Sequence, residues 1–569
     1  MSSSGPSGPL NLDNAATAKL GATSEKIGTK QRWMLAGALL FVYFTYVACF
    51  LGIVGSNDGS HFALTKAMAE QGRYQIGDGR VYALGDVATA PGSGDPKLAP
   101  QYSNKPPGTA LLCVPFYWVG RLADGLLTQF PPPDTWTHRD ESRLRNPFYI
   151  EAQKYGYQGR FPEFRAIYRG DWPRQNSVNL SPALAGVACC ALIYVLARQL
   201  GAGFGAALVA MLLAALGTLQ WRYSTAPFAH VYSAAILLGQ IYWLATRGAW
   251  RSTVGAFGWG ALVGYSGLVE YQALLTAPLV GMYWLWHAVR ELGRPVWIRR
   301  LGAAALGAMI PLGYLAWYQY TCFGDPLQTT VTRSVFFDYA ESPGSMLTGT
   351  PNLALRCLFF GSPSGAPEDY KGQGLVKTSP ILLVAVVGWF FIPKGSRLLA
   401  LVVALIVVSH TAVIAQVRAP MGGATYDARY LLRVVPLAVV GLALLCERAK
   451  RVQTSWRRWT LWAFLALLAL ASVVNAVDMM GKFQRHEIFL PGYPSKVNLL
   501  YRLIVCVDSV GNWPQFLVAL EDLFRAMAYL TNACFANVGN GPMFLVAAVV
   551  AGLVSAGLWG GRALAHARG

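Results

Sequence analysis

Charge is scarce in this chain. Only 13% of its 569 residues are Asp, Glu, Lys or Arg, whereas 54% are apolar, and the mean hydropathy is +0.36. That composition excludes an ordinary water-soluble domain, which carries about twice the charge. Cysteine pairs at CxxC spacing are missing, and the outer loops show no cluster of metal-ligand side chains, so a zinc site and a metal-dependent reaction are not expected. Matched halves with interrupted apolar segments are also missing, which argues against a secondary transporter or flippase. Acidic residues are the rarer sign, 28 against 47 basic, leaving a net charge of +19.

Long apolar runs are abundant instead. A membrane-spanning helix needs about 20 mostly apolar residues, because hydrocarbon offers nothing to satisfy backbone polar groups. Twelve stretches qualify: 33–54, 178–197, 202–221, 228–246, 253–270, 272–289, 301–319, 379–392, 397–417, 430–446, 459–477 and 542–560. The predicted fold class is therefore an all-α polytopic membrane protein. With the N-terminus inside, the short inner connections are basic, as Lys and Arg retention on the cytoplasmic side requires. They carry Lys30 and Arg32, Arg198, Arg247 and Arg251, Arg290, Arg294, Arg299 and Arg300, Lys394 and Arg397, then Arg448, Lys450 and Arg451, and finally Arg562 and Arg568. Much of the +19 is thus topology. A nucleic-acid partner is not needed to explain it.

This orientation gives a disordered cytoplasmic tail over 1–32 and a transmembrane domain over 33–477 with outer loops 55–177 and 320–378. An outer segment 478–541 and a last span with a cytoplasmic end, 542–569, complete the chain. The first span is too long for a signal-peptide core and is expected to be retained. Outside the membrane, residues 59–71 and a segment opening at Pro106-Pro107 and ending near Arg121 read as short juxtamembrane helices. Residues 514–530 read as an amphipathic helix lying on the surface. Cys322 with Cys357, or Cys506 with Cys534, would face an oxidising compartment and are open as disulfides.

The motifs concentrate on that outer face. SNDGSHFALTKAMAEQGRYQI follows the first span from residue 56, and YSNKPPG occupies 102–108. QWRYSTAPFAHVYS lies at 220–233, LVEYQALL at 268–275, YQYTCFGDPL at 318–327, LFFGSPSG at 358–365 and GGATYDARYLLRVVP at 422–436. Together they resemble the GT-C glycosyltransferases of the aminoarabinose-transferase and protein O-mannosyltransferase kind, in segments spread over most of the chain. Two departures stand out: Asp58 is followed by Gly59 where that family often has a second acid, and its KPPL is KPPG here.

The resemblance implies a GT-C fold with about twelve spans and extracytoplasmic juxtamembrane helices. It also implies a bacterial plasma-membrane enzyme with both termini cytoplasmic, which moves a hexosyl or pentosyl group from a polyprenyl-phosphate donor to a glycan, lipid or protein acceptor with inversion. No cofactor is implied. A repeat-unit polymerase or ligase for surface polysaccharide would share the donor and differ in acceptor. On the family's pattern Asp58 is the carboxylate that takes the acceptor's proton; its alternative is an N-cap for helix 59–71. Lys105 and Arg429 are the donor-phosphate ligands on the same pattern, with snorkelling cations as the alternative. His61, Tyr102, Tyr223, His230, Glu270, Asp427 and Tyr430 are candidates for the substrate cavity. Of these, Glu270 and His230 are ionisable groups near span ends, where charge is costly. Asp427 can equally pair with Arg429, and the tyrosines can be interface packing.

Overall fold

A computed structural model of the protein describes residues 28–484, apart from 51, 54, 91–98, 125–152, 154–157, 161–162, 164–165, 168–169, 336–342 and 423–426. The expected amphipathic helix, the last span, the Cys506–Cys534 pair and almost all of the N-terminal tail lie outside the described residues.

Thirteen helices of ten or more residues are found among the described residues. In chain order they are α1 (Thr29–Ala48), α2 (Ser56–Gln71), α3 (Gly108–Leu122), α4 (Trp172–Gln199), α5 (Phe204–Leu216), α6 (Ala229–Ala245) and α7 (Thr253–Val269). After them come α8 (Ala277–Glu291), α9 (Arg294–Phe323), α10 (Pro351–Phe360), α11 (Arg397–Gln416), α12 (Val435–Lys450) and α13 (Ser455–Gln484). Each of the first eleven expected spans coincides with a helical segment, but not all are built alike. Among the described residues, four helical segments are long and apolar enough to cross a membrane by themselves: Pro173–Gln199, Arg294–Phe323, Lys394–Gln416 and Ser455–Val477. The eighth stretch is broken, a helical turn at Leu382–Ala385 running into 3₁₀ structure at Val386–Phe391. α13 continues to Gln484, past the expected start of an outer segment at 478.

The interior is organised on α4, which packs against α1, α3, α5, α6 and α12. Small residues set that closeness: Ala183, Cys189, Cys190 and Ala197 on α4 and Ala207, Ala210 and Ala214 on α5 are fully buried. The outward faces are the reverse of a soluble protein's. Leu306, Met309, Ile310 and Trp317 of α9, Leu401 and Val408 of α11, and Trp459 and Leu467 of α13 are all exposed. Apolar side chains so presented belong against lipid tails, where no water is displaced by burying them.

Between α2 and α3 a two-stranded antiparallel sheet, β1 (Val87–Thr89) with β2 (Gln101–Ser103), pairs Ala88 with Tyr102. Single bridges from Gln75 to Tyr102 and from Ala88 to Ser334 tie in the segment after α2 and the segment after α9. The first outer loop is therefore anchored from two sides before it reaches α3. A second anchor is ionic. Asp171 before α4 accepts hydrogen bonds from Lys66 Nζ (2.5 Å), Arg174 (2.6 Å) and the Tyr82 hydroxyl (2.7 Å), fixing α2 to the start of α4.

Cys322 and Cys357 are both buried free thiols, so the disulfide considered between them is not formed.

α7 and α9 pack backbone to backbone. A Cβ on Gly260 would sit 1.9 Å from the Ala304 carbonyl oxygen, where no side chain fits. Replacing Gly260 with Leu is expected to force the two helices apart and to cost about 3 kcal/mol. Thermal unfolding of the detergent-solubilised protein checks this; a melting temperature equal to the parent's would show that the helices part freely.

Candidate active site

α2 begins at Ser56 with Gly55 as its N-cap, three residues earlier than expected. The N-cap alternative for Asp58 therefore fails. Asp58 is the third helical residue, fully buried at the positive end of the helix, where a carboxylate is favoured. Gly59 explains the missing second acid: a Cβ there would lie 1.9 Å from the Tyr82 carbonyl oxygen, so the close approach of α2 to residues 80–83 admits no side chain. One turn on, His61 is also fully buried, and neither ring nitrogen has a hydrogen-bond partner among the described residues. Burial first, then the charge of Lys105, push its pKa down to about 3, so the imidazole is neutral at physiological pH.

The KPPG segment is held beside it. The Ser60 hydroxyl donates to the Asp86 carbonyl (2.7 Å) and is hydrogen-bonded to the Ser103 hydroxyl (2.7 Å), which in turn accepts from the Lys105 backbone N–H (3.1 Å). Lys105 Nζ donates to Asp86 Oδ1 at 2.9 Å, and Asn104 Nδ2 donates to the same oxygen at 3.0 Å. Burial would raise the Asp86 pKa, but the Lys105 charge and hydrogen bonds from Ser56, Lys105 and Asn104 outweigh it and leave the pKa below the ordinary carboxylate value. Gly108 accounts for the other departure from the family pattern. A Cβ on it would lie 2.5 Å from the Leu268 carbonyl oxygen, so only glycine lets the start of α3 meet the end of α7.

Glu270 ends α7 and opens a 3₁₀ turn, Tyr271–Thr276. Its Oε1 is 2.5 Å from His230 Nδ1 at the start of α6, and both residues are buried. The last residue of the turn, Thr276, accepts a hydrogen bond from Arg433 Nη2 at 2.8 Å. The Tyr430 ring packs edge-on to His230 at 5.4 Å, and its carbonyl is 2.8 Å from His410 Nε2.

Asp427 does not pair with Arg429, as the sequence allowed. It binds Arg222 Nη1 at 2.7 Å and the Tyr223 hydroxyl at 2.6 Å, all three side chains buried. Arg429, 7% exposed, instead lies over the Tyr430 ring at 5.2 Å, and among the described residues no carboxylate lies within ion-pair distance of its guanidinium. Burial opposes its charge, but Tyr430, Tyr223 and Asp86 outweigh that and hold its pKa above the ordinary arginine value. Tyr102 stands apart, its ring packed edge-on against Phe323 at 5.6 Å beside α9.

Four participants were not singled out from the sequence: Asp86, Arg222, Arg433 and His410. Arg433 and His410 carried a signal, since each is an ionisable side chain next to or within an apolar run. Asp86 carried none, because its role depends on β1 and β2 pairing.

No protein-family model matches the sequence, and no curated protein matches it. Among solved structures, the chain is similar to ArnT from Cupriavidus metallidurans bound to undecaprenyl phosphate, at 15% identity and a TM-score of 0.42 over 90% of this chain and 78% of that one. The apo state of that ArnT gives 14% identity and a TM-score of 0.44 over 93% and 78%. The archaeal oligosaccharyltransferase AglB from Archaeoglobus fulgidus, in complex with an inhibitory peptide and a dolichol-phosphate, gives 11% and 0.43 over 82% of this chain and 61% of its own. ArnT and AglB are both GT-C glycosyltransferases.

Because the Asp86 pKa is depressed in the folded state, its contribution to stability is present above the unfolded value of about 4 and is lost as pH falls through the lower folded value. Melting temperatures measured from neutral pH down through this range should fall less steeply in Asp86→Asn than in the parent. Parallel acid profiles would show that the Lys105–Asp86 pair does not stabilise the fold.

Proposed function

We propose that this chain is a GT-C membrane glycosyltransferase that moves a sugar from a polyprenyl-phosphate donor to an acceptor hydroxyl on the extracytoplasmic side of the bacterial plasma membrane, inverting the anomeric carbon. The observation that carries this reading is the buried guanidinium of Arg429, which has no carboxylate within ion-pair distance among the described residues. A buried guanidinium with no carboxylate in direct contact is left with N–H donors to satisfy, and an anionic lipid head arriving from the membrane would accept from them. An arginine fork suits two phosphate oxygens at once.

In this reaction the acceptor oxygen attacks the anomeric carbon while the bond from that carbon to the phosphate oxygen breaks. The acceptor's proton goes to Asp58, and the electron pair leaves with the polyprenyl phosphate, whose growing charge Arg429 and Lys105 receive. Lys105 is already paired with Asp86, and on this reading its ammonium shares its remaining N–H donors with the phosphate. The departing phosphate needs no proton, so a single base is enough. The reaction asks for no cofactor and no metal. The basic inner connections support the same orientation, which puts Asp58, Lys105 and Arg429 outside.

The test incubates purified protein with radiolabelled polyprenyl-phosphate sugars and a membrane extract and follows label leaving the prenyl lipid. Asp58→Asn keeps the side-chain shape and is expected to slow transfer by about 10²–10⁴-fold; undiminished transfer would remove Asp58 as the base. Arg429→Ala is expected to weaken binding of the bare polyprenyl phosphate by at least about tenfold, one charge-assisted hydrogen bond. Equal binding by Arg429→Ala and the parent would place the phosphate elsewhere.

A further inference from the structure

Separate elements around Glu270 carry buried hydrogen-bonding atoms without partners among the described residues. His230 Nε2, His410 Nδ1, both ring nitrogens of His61, and Nε and Nη1 of Arg433 are buried and have no hydrogen-bond partner among the described residues. None of these four residues is more than 4% exposed. Such atoms are few in a folded protein, and a group of them in one place marks a polar ligand or water that completes them.

Glu270 is the shared neighbour. It is hydrogen-bonded to His230 Nδ1, and it opens the turn whose last residue, Thr276, holds Arg433. Tyr430 links His230 to His410, touching one with its ring and the other through its carbonyl. His61 lies within electrostatic range of both His230 and Glu270.

The chemistry of these atoms defines what they fit. His230 turns Nδ1 to Glu270 and His410 turns Nε2 to the Tyr430 carbonyl, which leaves Nε2 of the first ring and Nδ1 of the second open to a group that can donate or accept as each ring requires. Arg433 offers two N–H donors. The group therefore mixes imidazole nitrogens with one carboxylate and one guanidinium, a cation and an anion together. A second phosphate would satisfy the arginine but would face Glu270 and donate nothing to the imidazoles. A prenyl tail would satisfy nothing. Hydroxyl groups, each of which both donates and accepts, satisfy both kinds of atom.

We propose that His61, His230, Glu270, His410 and Arg433 form the subsite that binds the neutral, hydroxyl-rich ring of the transferred sugar, separate from the cations that hold the lipid phosphate. The proposal rests on the transferase reading and adds the class of sugar to it: an uncharged hexose or pentose.

The experiment measures equilibrium binding of undecaprenyl phosphate, and of undecaprenyl-phosphate glucose, arabinose and glucuronate, to the full chain in lipid nanodiscs. The parent is expected to bind at least one of the two neutral glycosyl lipids tenfold or more tightly than the bare lipid, and tighter than the glucuronosyl lipid. Arg433→Gln should erase that preference while bare-lipid affinity stays within twofold. His230→Gln, which removes no charge balance from Glu270, is the second variant should Arg433→Gln fail to fold, and is expected to reduce the preference at least fivefold. Bare-lipid binding with no preference for either neutral sugar, a preference for glucuronate, or a preference unchanged in the folded variants would overturn the subsite and leave the transferase reading standing. If the parent binds none of the four lipids, the transferase reading itself fails, and the subsite with it.

Discussion

Charge buried at the ends of apolar helices is the condition on which the rest of this structure turns. A lone ion taken out of water costs several kcal/mol even after relaxation, so each must be matched by a partner or by a ligand. Lys105 is matched by Asp86, Arg222 by Asp427, and the Glu270 carboxylate is hydrogen-bonded to His230. The pairs are not local: 19 residues separate the first, 205 the second and 40 the third. Each pair thus ties a loop or helix end to a distant one, and together they gather α2, α3, α6, α7 and the segment before α12 around one polar region. Against that background two buried arginines lack a carboxylate within ion-pair distance among the described residues: Arg433 gives Nη2 to Thr276, and Arg429 carries the functional reading.

Close backbone approach is the second contributor, and it acts through residues that do no chemistry. Gly59 lets α2 lie against the chain at Tyr82, and Gly108 lets α3 start against the end of α7. Both are the points at which this sequence departs from the family it resembles. The departures follow from packing: a second acid at 59 or a leucine at 108 would meet a carbonyl oxygen. The candidate chemistry is left where it was, with Asp58 on the buried end of α2 and Lys105 on the loop leading into α3.

The apolar helices were legible because hydrocarbon imposes a length and a composition that a linear scan can read. The scan was least informative where the chain breaks the pattern. The eighth stretch is a helical turn followed by 3₁₀ structure, and the fifth and sixth are separated by the turn at Tyr271–Thr276, which places Thr276 under Arg433. In α2 the start was displaced by three residues, since Asn57 and Asp58 read as capping residues whereas the chain caps the helix with Gly55 and puts Asp58 inside it. His230 and Glu270 were both suspected separately, as charges near span ends, but nothing linear says that they touch.

Sequence alone determined the class of molecule: a helical membrane chain whose apolar runs alternate with short basic connections and with longer polar segments that carry the motifs. Those properties follow from composition and period, which are local and accumulate over many residues. Tertiary structure alone decided which charges are partners, since a pairing depends on where distant segments meet. It gave Asp427 to Arg222, not to its neighbour Arg429, and it gave Lys105 the unsuspected Asp86. It also collected His61, His230, His410 and Arg433 around Glu270, an arrangement that exists only once α2, α6, α7, α11 and the approach to α12 have packed.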